Sequence, residues 1–208
     1  MNERTLATYT QTGYMFLDAG TGLPGVVNEF IAAGPPPFFI GFGSNPIYYP
    51  EELAHMFRRI ASQTGRRLIV SKGWAGLESS DQAEDILYVD DVPYELLFPK
   101  MAAVIHHGGT GTMAYAARAG VPQAAFPYMA DQFTNRKRIF ELGIGPKTCD
   151  FRKMDEKAIV EAINACVSTD SYRNNANYLA ETIRTTEGTK QTADLIEKEF
   201  GRKTGFPQ

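Results

Sequence analysis

Residues 102–120 read AAVIHHGGTGTMAYAARAG, and this stretch decides the fold. Ala102-Ala103-Val104-Ile105 is a short, unbroken apolar run, the pattern of a parallel strand covered on both faces. Three glycines within residues 108–111 turn the chain, and a helix is predicted over 111–119. Outward from here the same unit recurs. Upstream, Phe38-Phe39-Ile40-Gly41-Phe42 is a strand and Gly43-Ser44-Asn45-Pro46 a turn. Pro50 then opens a helix in which Leu53, Met56 or Phe57, and Ile60 share one face. Leu68-Ile69-Val70 and Ile86-Leu87-Tyr88-Val89 are further strands, and Gln123-Ala124-Ala125-Phe126 is the last. Helices are predicted at about 94–99, 133–141, 155–167, 171–186 and 190–200. Apolar strands alternating with helices imply an α/β fold, a doubly wound parallel sheet of Rossmann-like type. Residues 1–34, glycine-rich and followed by Pro35-Pro36-Pro37, read as an irregular lead-in; residues 35–200 form one domain and 201–208 a frayed tail.

Composition narrows the function. The 208 residues carry a net charge of −3, with scattered basic residues, which argues against a nucleic-acid partner. With 43% apolar and 12% aromatic residues the chain is too hydrophobic for intrinsic disorder. No apolar run approaches the roughly 20 residues of a membrane span, and the first residues lack a basic-then-apolar leader. Cys149 and Cys166 stand without metal-ligand or redox spacing, so reduced thiols in a cytoplasmic compartment are expected.

In an open parallel sheet, ligands bind beyond the carboxyl ends of the strands. The glycine-rich or polar segments 41–44, 72–74, 90–93, 106–112 and 127–132 all fall at such ends. The most specific is Gly108-Gly109-Thr110-Gly111-Thr112, where the backbone can approach a ligand closely and first-turn N–H groups face it. Such a helix start favours an anion, and Thr112 and His107 can add donors. The bland alternative is a tight packing turn with a backbone-bonded histidine. His106 and His107 point to opposite faces, so only one can meet a ligand. Gly109-x-Gly111-x-x-Ala114, with Asp131 about 20 residues on, fits a dinucleotide fingerprint and keeps a dehydrogenase as an alternative. Against it, Asp131 falls in a loop after Pro127 rather than at a strand end. There is no Walker lysine, no nucleophile elbow and no Asp-x-Asp, so no metal and no other cofactor is expected.

Several motifs in order carry a family resemblance: Gly41-Phe42-Gly43-Ser44, Lys72-Gly73-Trp74-Ala75-Gly76-Leu77, Val92-Pro93, Leu97-Phe98-Pro99, His106 to Thr112, Arg118-Ala119-Gly120-Val121-Pro122, Asp131-Gln132 and Leu142-Gly143-Ile144-Gly145. Together they resemble the C-terminal, donor-binding domain of two-domain GT-B glycosyltransferases. The subgroup they look most like is that of sterol glucosyltransferases and vancomycin-type enzymes. Thr12-Gly13-Tyr14-Met15-Phe16-Leu17 looks like that family's interdomain linker.

The resemblance implies a role for each motif. Ser44, His107, Gly109, Thr110, Gly111 and Thr112 would hold the donor diphosphate, and Asp131 and Gln132 the sugar hydroxyls. The Val92 backbone would bond the base and Trp74 would line its pocket. Trp74 also suits a core aromatic, and Ser44 and Asp131 suit helix N-caps. In plant relatives an acidic residue eight positions after the histidine contacts the ribose; Tyr115 stands there here.

The implied reaction is inverting transfer of a hexose, glucose above others, from UDP to a hydroxyl of a lipid-like or natural-product acceptor. The catalytic base would lie in an N-terminal acceptor-binding domain that precedes the linker, in cis or on a partner chain. The chain alone is then expected to bind a UDP-sugar weakly, to transfer nothing, and to self-associate as a homodimer through its exposed cleft face. A nucleotide-sugar-binding subunit serving a separate chain is the other reading.

Overall fold

The computed structural model describes residues 10–18, 20–43, 49–73 and 83–200. Five parallel strands form one sheet: β1 (Phe38–Gly41), β2 (Leu68–Ser71), β3 (Ile86–Val89), β4 (Ala103–His106) and β5 (Gln123–Ala125), in the order β3-β2-β1-β4-β5. The helices among the described residues are α1 (Gly25–Ala32), α2 (Pro50–Thr64), α3 (Tyr94–Leu97), α4 (Thr110–Ala119), α5 (Gln132–Glu141), α6 (Glu156–Ser168), α7 (Asp170–Thr185) and α8 (Gly188–Phe200), with short 3-10 turns after α3 and before α6.

Strand side chains alternate between two cores, as the period of two demands. Phe38, Ile40, Leu68, Val70 and Ile105 pack under Phe57 and Ile60 of α2 and Ile159 and Ile163 of α6. On the other face Phe39, Ile69 and Val104 meet Val27 of α1, Leu97 of α3 and Ala116 of α4. Both faces are covered, which is why the strands are apolar throughout rather than alternating. Beyond β5, Ile139 of α5 and Ala176 of α7 close a smaller cluster around Ala125.

The irregular reading of residues 1–34 is corrected over Gly25–Ala32, which is helical. Pro24 precedes the first turn, and its carbonyl accepts from the amides of Val27 and Asn28 at 3.0 and 3.1 Å. Val27, Phe30 and Ile31, spaced i, i+3, i+4, lie on the second core. Burial of that face outweighs the low helix propensity of Gly25. Strand β4 also runs one residue later than predicted, because the Ala102 amide turns aside to the Pro37 carbonyl at 2.8 Å.

The strand order reverses between β1 and β4. In register, Ile40 stands beside Ile105 and Gly41 beside His106. The two strands therefore end flush, and their loops open side by side. That crevice is the topological switch point of the sheet.

Candidate functional site

Helix α4 rises from the crevice with Gly109 at its N-cap, and no side chain caps it. The first helical amide to find a carbonyl is that of Met113, bonded to Gly109 at 3.0 Å. The amides of Thr110, Gly111 and Thr112 come before it and have no helical partner, so the positive end of the dipole faces the crevice.

His107 stands beside this turn, held between two glycines. A Cβ on Gly43 would come within 2.8 Å of its Cε1, and one on Gly109 within 2.3 Å of its Nε2. Glycine is required at both positions because the imidazole occupies the space a side chain would need. Its Nδ1 is buried and makes no hydrogen bond of good geometry within the described residues. Burial pulls its pKa below the usual imidazole value, partly offset by the Gly41 backbone and the Asp131 charge. The free protein thus presents a neutral ring that a bound anion would favour protonating.

His106, one residue earlier, lies fully buried on the opposite side, its ring 86° from that of His107. Its Nδ1 accepts from the Gly108 amide at 3.0 Å, which leaves the proton on Nε2, donated to Gln123 Oε1 at 3.0 Å. Burial pushes its pKa down to about 3. It is a structural histidine, and the division of labour between the pair follows the strand geometry.

Asp131 occupies the N-cap position of α5, yet its carboxylate accepts no backbone amide of that helix, which corrects the capping alternative. Instead it accepts from the Thr110 hydroxyl at 2.9 Å and from Asn135 Nδ2 at 3.2 Å. Asn135 also donates to the Gly108 carbonyl at 2.8 Å and reaches Thr110 Oγ1 at 3.2 Å. Asn135 was not legible as a site residue; its one signal is the i,i+4 spacing from Asp131 on a helix face. The preceding Ala130 adopts φ +48°, a left-handed conformation disfavoured for a residue with a Cβ.

Gln132 is buried, and its side-chain carbonyl accepts from the Tyr128 and Met129 amides at 2.8 and 3.1 Å, which leaves its Nε2 as the side chain's donor. Thr112 is also buried, beside the Tyr94 hydroxyl. Val92 lines a separate cleft of about 480 Å³ with Leu17, Asp91, Tyr94, Glu95 and Tyr115. The Tyr115 hydroxyl is engaged by the lead-in: it donates to the Leu17 carbonyl at 2.7 Å and accepts from the Leu17 amide at 3.2 Å. Ser44 and Trp74 lie outside the described residues. The structure therefore brings His107, Thr110, Asp131 and Asn135 around one helix start, with Val92 and Tyr115 beside the neighbouring cleft.

A Rossmann-like domain with an open switch-point crevice is thus the class of protein that the fold defines. Residues 74–196 match the family described as erythromycin biosynthesis protein CIII-like, C-terminal domain. The chain belongs to that family, a C-terminal domain of GT-B glycosyltransferases.

Among its relatives, the sterol 3-beta-glucosyltransferase UGT80A2 of Arabidopsis thaliana is 32% identical over 85% of this chain and 28% of that protein. The vancomycin aglycone glucosyltransferase of Amycolatopsis orientalis is 42% identical over 65% of this chain and 33% of that one. The chain thus spans about a third of the length of these relatives. Glycosyltransferase VinC, solved in complex with dTDP, superposes with a TM-score of 0.69 over 86% of this chain and 45% of that one, at 22% identity, and shares the fold. No described helix is long and apolar enough to cross a membrane.

Proposed function

We propose that this chain is the donor-binding half of an inverting glycosyltransferase that moves a hexose, glucose first, from UDP to a hydroxyl of a lipid-like or natural-product acceptor. One observation carries the reading. Three amides at the start of α4 that have no partner among the described residues and the imidazole of His107 converge on one crevice. A diphosphate is the ligand whose charge that arrangement complements. The names of the sterol and vancomycin relatives support glucose and a hydroxyl acceptor. The dTDP in VinC supports a pyrimidine nucleotide donor.

In this reading the acceptor oxygen bonds to the anomeric carbon as the bond from that carbon to the diphosphate breaks. The electron pair leaves with the diphosphate, where the α4 amides and His107 hold the new charge without a metal. Asp131 and the free amine of Gln132 face the sugar, and the cleft beside Val92 takes the nucleoside. The acceptor proton goes to a base on the acceptor-binding domain, in cis or on a partner chain. Both cysteines are free thiols, in keeping with a cytoplasmic setting. Self-association through the cleft face remains part of the proposal; exposed Tyr49, Met129 and Phe133 support it.

Calorimetric titration tests the reading. UDP is expected to bind, and His107→Ala to weaken it by about 10- to 100-fold, the value of a hydrogen bond to a charged group. Absence of UDP binding, or a His107→Ala variant that binds normally, would falsify it. UDP-glucose, dTDP and GDP-mannose run in parallel rank the donors.

A further inference from the structure

The lead-in does not hang free of the domain; it is fastened across α4 and α8. Thr12 and Thr192 hydroxyls meet at 2.6 Å. A Cβ on Gly188 would come within 2.5 Å of the Tyr14 carbonyl, so the two backbones are in close contact. Leu17 exchanges both main-chain bonds with Tyr115. Asp18 accepts two hydrogen bonds from Arg118, at 3.0 and 2.5 Å, and the Arg118 guanidinium lies 4.0 Å from the Phe16 ring centre.

Within this fastened segment the Tyr14 hydroxyl is a polar group the fold does not use. The ring packs on Phe16 with centroids 4.7 Å apart, a contact phenylalanine would make equally well. The hydroxyl reaches over the first turn of α4, where a Cβ on Gly111 would stand 3.5 Å from it. Because Gly111 has none, the hydroxyl faces bare backbone of the turn whose amides lack partners. It has no hydrogen-bond partner of its own among the described residues. Partial burial and the neighbouring Tyr115 raise its pKa, which keeps it a proton donor at neutral pH.

We propose that Tyr14 is a further donor-binding residue, its O–H donating to a phosphate oxygen of a nucleoside diphosphate seated on the α4 turn. The inference rests on the diphosphate reading above and extends it to the lead-in. The segment between the acceptor-binding half and this domain then supplies part of the nucleotide site. Nucleotide binding and docking of the lead-in reinforce each other, because one ligand touches both.

The test is calorimetry of the wild type, Tyr14→Phe and His107→Ala with UDP and with uridine. The expected result is that Tyr14→Phe weakens UDP roughly tenfold, leaves uridine affinity unchanged, and keeps the melting temperature. If His107→Ala weakens UDP while Tyr14→Phe binds it like the wild type, the Tyr14 assignment is overturned and the diphosphate reading stands. An equal loss for UDP and uridine in Tyr14→Phe would assign the residue to packing and also overturn it. A wild type that binds no UDP removes both.

Discussion

The two ends of the sheet treat their polar groups in opposite ways. At the amino end, arginines close the main chain: Arg67 donates to the carbonyls of Phe30, Ile31 and Pro35, and Arg173 to those of Ala102 and Gly120. Backbone there also packs on backbone, so a Cβ on Gly145 would fall 1.7 Å from the Gln123 carbonyl. At the carboxyl end, the amides of Thr110, Gly111 and Thr112 have no partner among the described residues. Main-chain polar groups are almost always paired within a protein, so an end that leaves three amides open to a crevice is one that a ligand can complete. The difference teaches where stability resides and where binding does.

Measurements of both properties on the same variants sharpen or break this contrast. The largest effect concerns His106, which sits at the open end by position but is bonded like the closed one. The unfolded histidine titrates near 6.5 and the folded one at about 3, so between these values the unfolded chain binds the extra proton. Stability is therefore expected to fall by several kcal/mol as the pH drops from about 6.5 toward 3. A His106→Gln variant should show a flatter profile in denaturant titrations across that range; an unchanged slope would contradict the assignment.

Next comes Gly145→Ala at the closed end, expected to cost about 3 kcal/mol through backbone displacement. It should lower the melting temperature without altering UDP affinity in the folded fraction. A change in affinity alone would erase the distinction between the two ends. The smallest effect is expected from Asn135→Ala, which removes the clasp joining Gly108, Thr110 and Asp131. A loss of about 1 kcal/mol in stability and of less than tenfold in UDP affinity should appear together. If neither moves, the clasp does not position the turn.

Much of the sheet was legible because a strand buried on both faces must be apolar throughout, and such short runs stand out between glycine turns. The strand order was not, since it depends on contacts between distant segments. The β1–β4 pairing, which creates the switch point, joins Gly41 to His106 across the whole first half of the domain. Helix α1 was missed because Pro24 and Gly25 announce a turn, while its apolar spacing gains meaning only against Phe39 and Val104. At the site, His107 and the glycine turn were readable from local chemistry.

The fates of Asp131, Tyr115 and Tyr14 were hidden. Asp131 is decided by Thr110, 21 residues away, Tyr115 by Leu17, 98 residues away, and Tyr14 by the approach of the lead-in to Gly111. Local preference marked Asp131 as a cap, and its carboxylate instead takes the Thr110 hydroxyl and the Asn135 side chain.

The glycine pair around His107 carries one more consequence. A ring whose Cε1–Nε2 edge lies close against the main chain at Gly43 and Gly109 has few orientations open to it before any ligand arrives. The rotamer freedom that binding would otherwise remove, worth roughly 0.5–1.5 kcal/mol for an immobilised side chain, has already been surrendered during folding. Gly43 follows β1 and Gly109 follows β4, which makes the imidazole a feeler gauge for the gap between two independent loops.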